Sequence, residues 1–153
     1  MSVAFRRDCD EEHLEPRFEL PIPPGPNLVT RRGLALIEAR VADLESALAS
    51  NLGEDERKAV LRDARYWRHR LTSAQVAPAA SGETVAFGTR VTIDRDGKTR
   101  TFEIVGHDES DPGSDRISFA SPLARALIGA EAGDVREFPN SDEPITVTAI
   151  AAA

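Results

Sequence analysis

Apolar residues between Gly33 and Ala74 fall into two regular stripes. Leu34, Ile37, Val41, Leu44 and Leu48 form the first, and Val60, Ala64, Trp67, Leu71 and Ala74 form the second. Their alternating steps of three and four residues are the rhythm of a coiled-coil seam. One long helix would leave such a seam in water. Two helices joined by a short turn bury their seams against each other, which predicts an antiparallel helical hairpin. Thr30 is placed to cap the first helix, which is expected to run to about Asn51. Gly53 is placed to end it, and Glu54 opens the second helix.

After the small-residue stretch Ala77–Gly82 the pattern changes to a period of two. Val85 and Phe87, then Val91 and Ile93, alternate with polar residues, and Asp96-Gly97 is a hairpin turn signal. Phe102, Ile104 and Val105 mark the returning strand. Ile117 and Phe119 suggest a third, and Ile145, Val147 and Ile150 a last one, with a short strand near Val135 and Phe138. The segment Asp108–Gly113 reads as a polar loop. Ser121-Pro122 caps and opens a short helix that Gly129 ends. The expected fold class is α+β: an N-terminal antiparallel helical hairpin (a short coiled coil) and a C-terminal antiparallel sheet with one short helix. The boundaries are an extended tail over 1–27, the hairpin over 28–76, a linker over 77–82 and the second domain over 83–153. Prolines 21, 23, 24 and 26 keep the end of the tail out of helix.

Composition narrows the function classes. The chain of 153 residues carries a net charge of −7, which argues against broad binding to a nucleic-acid backbone. A single cysteine, Cys9, rules out an internal disulfide and fits a reducing compartment. Met1–Arg7 lacks an apolar core segment, and no apolar run is long enough to span a bilayer. The expectation is a cytoplasmic protein without a membrane role.

No catalytic constellation is visible. His13, His69 and His107 are scattered, Cys9 lies in the tail, and the phosphate-binding glycine loop is absent. No metal site and no cofactor are expected. Glu54, Asp55 and Glu56, at the tip of the hairpin, are the one cluster with chemical potential. They complement the dipole of a first helical turn, and carboxylates on a projection can also help hold Mg²⁺ in another protein's active site. Arg57, Lys58, Arg62, Arg65, Arg68 and Arg70 make the second helix basic, and they read as a solvated face.

The segments Phe102–Glu109 and Ile117–Gly129, followed by Gly133-Asp134-Val135, resemble the GreA/GreB family of bacterial transcript-cleavage (elongation) factors. The resemblance covers the second domain and extends more weakly to Val29–Leu34 and Arg70–Val76. It implies a C-terminal domain like the FK506-binding proteins, docking on RNA polymerase near its secondary channel through Ser121, Pro122 and Leu123. It implies a coiled coil that enters the channel and acidic tip residues that help hold the polymerase's Mg²⁺. Nucleic acid would be met only indirectly, within the elongation complex. The tip departs from the family pattern, with Glu54 in place of an aspartate and Arg57 in place of a glutamate. The arms look shorter by roughly ten residues each, which withdraws the tip by about 15 Å. In this the chain is similar to the shortened Gre-related regulator Rnk. The expectation is therefore an RNA polymerase-binding regulator that is not an enzyme and lacks strong cleavage activity. The alternative is an active elongation factor that stimulates RNA cleavage in backtracked complexes through its tip. A peptidyl-prolyl isomerase is disfavoured, because the second domain has no Trp or Tyr to line a pocket.

Overall fold

A computed structural model describes residues 19–153. Cys9, His13 and the charged segment over 6–15 lie outside the described residues.

The two stripes form the two arms of a hairpin. Helix α1 (Arg31–Leu48) and helix α2 (Glu54–Ser73) pack side by side. Ile37, Val41 and Ala64 are buried between them, and Leu34, Leu44, Leu48, Val60, Trp67 and Leu71 are half-buried along the same seam. Thr30 caps α1 as its sequence position predicts, its hydroxyl accepting from the Gly33 amide at 2.9 Å. Gly53 plays a different part from the one expected. It does not close α1, which ends at Leu48, but takes an extended conformation as the N-cap of α2. No helix among the described residues is long and apolar enough to cross a membrane.

The base of the hairpin is closed by two short strands. Strand β1 (Asn27–Val29) pairs in parallel with β2 (Ala74–Val76). Asn27, expected as the last residue of the tail, is thus a buried strand residue, only 4% exposed.

The remainder is a five-stranded sheet with the order β5-β4-β3-β7-β6. It comprises β3 (Thr89–Arg95), β4 (Lys98–Val105), β5 (Arg116–Ser118), β6 (Val135–Arg136) and β7 (Ile145–Ala152). The β3–β4 turn is the one that Asp96-Gly97 predicts. Both residues have positive φ, 51° and 71°, and Arg95 faces Lys98. Val91, Ile93, Phe102, Ile104, Ile145 and Val147 line one face, against Ala124 and Leu127 of helix α3 (Pro122–Leu127). Val85 joins this core from outside the strands, held by backbone hydrogen bonds with Gly129 and Ala130.

The fold class is α+β, as expected. The sheet is antiparallel except at one edge, where β5 runs parallel to β4. Two 3-10 turns, His107–Glu109 and Pro112–Ser114, carry the chain across before β5 begins. The segment over 108–113, expected to be a plain polar loop, is therefore partly ordered and partly buried.

Candidate functional site

Three places concern function: the tip, the short helix α3, and the joint between hairpin and sheet. At the tip, Glu54, Asp55 and Glu56 occupy the first turn of α2, and all three are exposed. Glu54 lies 3.6 Å from Lys58, an exposed pair one turn apart whose energetic value is small. Asp55 and Glu56 make no salt bridge among the described residues. Arg57 donates from Nη1 to the carbonyl of Leu48 at 3.1 Å, so its guanidinium satisfies an orphan carbonyl at the end of α1. The tip thus presents carboxylates, with Lys58 beside Glu54 and Arg57 folded back onto the other arm.

Helix α3 begins as the sequence predicts. Ser121 accepts from the Ala124 amide at 3.2 Å, and Pro122 sits exposed at the first helical position. Leu123 is half-buried and packs on the core, and Ser121 is half-buried too, so Pro122 offers the free surface at this helix start. Behind them the His107 and Phe87 rings pack edge-on against Phe119, with centroids 5.4 and 5.5 Å away. Burial, helped by the Arg70 cation, holds the His107 imidazole below its usual pKa.

The joint is where sequence reasoning missed most. Arg70, read as one cation of a solvated face, is 2% exposed. It donates from Nε to Asp108 Oδ2 at 2.5 Å and from Nη2 to Asn27 Oδ1 at 2.7 Å. Asn27 returns a bond from Nδ2 to the Arg70 carbonyl at 2.8 Å. Tyr66 donates to the other Asp108 oxygen at 2.5 Å. Burial first, and then this bond to a carboxylate, push the phenol up to about 12. The neighbouring Glu109 accepts from Thr30 at 2.5 Å and from Arg32 Nε at 2.6 Å. Of the rest of the basic face, Arg57, Lys58, Arg65 and Arg68 are exposed, as expected, the last three pairing with Glu54, Glu19 and Glu45, whereas Arg62 is half-buried with its Nε shut off from water. Beside the joint a cleft of about 760 Å³ is walled by Arg31, Arg32, Val76, Pro78 and Phe87.

Residues 80–152 match the family model "Transcription elongation factor, GreA/GreB, C-term". Over 119 residues the chain is 40% identical to a protein of Vibrio vulnificus named transcription elongation factor GreA. That match covers 70% of this chain and 74% of that protein. The chain belongs to the GreA/GreB family of transcription elongation factors. A relative of the same name from Maricaulis maris is 49% identical over 72 residues, covering 44% of this chain and 46% of that protein. With several relatives the match thus spans half of their length or less. Among solved structures, GreA factor homolog 1 of Thermus thermophilus overlaps at a TM-score of 0.40 with 19% identity, over 83% of this chain and 99% of that one. That overlap is loose, and membership rests on the sequence matches.

These relatives correct one expectation. The chain was expected not to be an enzyme, on the strength of Arg57 and the shortened arms. Its relatives are named transcription elongation factor GreA, the family that the resemblance ties to transcript cleavage.

Proposed function

We propose that this chain is an elongation factor that binds bacterial RNA polymerase in the cytoplasm and stimulates cleavage of RNA in backtracked complexes. It meets nucleic acid only within that complex. Docking falls to the C-terminal unit around Ser121, Pro122 and Leu123, at the entrance of the secondary channel. The hairpin then carries Glu54, Asp55 and Glu56 toward the polymerase's own Mg²⁺.

The observation that carries this reading is the tip. Exposed carboxylates stand at the far end of a two-helix projection whose base is held by Asp108 and Glu109 of the family-matched unit. A carboxylate helps a metal only from within about 2–2.5 Å, so the reading requires arms long enough to bring the tip to it. The arms measure 18 and 20 residues, so they extend about 27 and 30 Å.

Purified protein added to a stalled, backtracked elongation complex tests the proposal. Wild type should speed removal of the RNA 3′ end. A variant with Glu54→Ala and Asp55→Ala should not, yet should still be captured by the polymerase. Pro122→Ala should weaken capture while thermal unfolding moves little. If saturating wild type leaves the cleavage rate at that of polymerase alone, the cleavage reading is lost. If Pro122→Ala binds as wild type does, docking lies elsewhere.

A further inference from the structure

Asp108 and Glu109 are adjacent in one 3-10 turn, yet each takes hold of a different arm. Asp108 accepts from Tyr66 and Arg70, both on α2. Glu109 accepts from Thr30 and Arg32, at the start of α1. Both carboxylates are shut off from water, with side chains 6% and 4% exposed. The turn continues directly from β4, through Gly106, so it belongs to the sheet rather than to the hairpin. Gly106 packs so closely under β1 that a Cβ there would run into the Leu28 carbonyl. Gly33 likewise makes room: a Cβ on it would stand 2.8 Å from Glu109 Oε2.

Two independent grips, one on each arm, fix more than position. One alone leaves the hairpin free to pivot about it, whereas both together set the angle at which the arms leave the sheet. The geometry points to Asp108 and Glu109 as positioning residues that aim the hairpin, and so fix where the tip carboxylates stand relative to Ser121 and Pro122. The consequence for cleavage rests on the function proposed above. The geometric claim does not.

Its test is a distance measurement on the full chain, in a Cys9→Ser background with spin labels at Asn51→Cys near the tip and Lys98→Cys on the sheet. Both label sites are exposed. Wild type should give one narrow distance distribution. Asp108→Ala or Glu109→Ala should widen it by about twofold or more, as a locked orientation gives way to several. The isosteric Asp108→Asn and Glu109→Gln should fall between, because each keeps an acceptor. Should an alanine variant fail to fold, the isosteric pair carries the comparison. Trp67 fluorescence and circular dichroism identify the folded variants. A folded variant lacking one carboxylate with the wild-type distribution would reduce these residues to stabilising contacts and overturn the inference. In the cleavage assay a widened variant should lose rate while its capture by polymerase is unchanged. If wild type itself does not stimulate cleavage, the proposed function fails and the distance result still decides the positioning claim.

Discussion

Arg70 Nε stands 2.5 Å from Asp108 Oδ2, across 38 residues of sequence, and neither side chain is more than 6% exposed. A buried pair of this kind is no guarantee of net stability, since both ions had to leave water. Its value shows when one partner is lost. Arg70→Ala should therefore cost about 3–5 kcal/mol, because Asp108 and Asn27 are left without their cation. Urea denaturation read by far-ultraviolet circular dichroism gives the number. A loss below about 1 kcal/mol would mean that water enters the joint and replaces the guanidinium.

Ile37 is fully buried in the hairpin seam, whereas Leu44 is only half-buried. Ile37→Ala should cost about 2–5 kcal/mol, and Leu44→Ala less, since less apolar surface is lost and the site can collapse. Trp67 is the chain's single tryptophan and lies on the same seam. Its fluorescence on denaturation checks the order of the two variants, and Leu44→Ala as the more damaging would contradict the packing described.

Gly106 has ordinary φ, −74°, so its need for glycine is steric and not conformational. An added Cβ meets the Leu28 carbonyl of β1. Gly106→Ala should destabilise by about 1–3 kcal/mol, the usual cost of forcing an extra methyl into packed structure. Amide exchange of Leu28 and Val29 should rise in parallel. Unchanged stability would show that β1 can retreat without loss.

The Tyr66 phenol is raised from 10.0 to about 12, so the fold favours its protonated form. That contribution is whole below pH 10 and drains away as pH rises through the folded value near 12. The stability gap between wild type and Tyr66→Phe should therefore shrink over that window. Chemical denaturation of both proteins below pH 10 and near pH 12 measures the gap, and a constant gap would mean that neither burial nor the Asp108 bond holds the proton on the phenol.

What the sequence disclosed and what it hid divide along range. The seam residues were legible because helical spacing is local: Ile37, Val41 and Ala64 each sit where the three-and-four rhythm puts them. The Asp96-Gly97 turn and the Ser121-Pro122 helix start were legible for the same reason, since turn and cap chemistry involves a few neighbours. Arg70 was not, because on a helix already rich in cations nothing local marks the one that is buried. Its partner Asp108 lies in a stretch that reads as loop. Glu109 was hidden likewise, its partners lying 77 and 79 residues earlier. Strands β1 and β2 have three residues each, too few to show alternation. Of the candidate site, the tip and the short helix were visible, and the joint that relates them was not.

The parallel pairing of β1 with β2 places the two ends of the hairpin side by side, Asn27 opposite Ala74 and Val29 opposite Val76. Everything from Thr30 to Ser73 is thereby a closed excursion from a fixed base. Whole heptads can be added to or removed from both arms together without disturbing the base or the sheet, each moving the far end by about 10 Å. Length is thus a free variable of this architecture, open to evolution and to a designer alike: the same body can carry a probe of any reach.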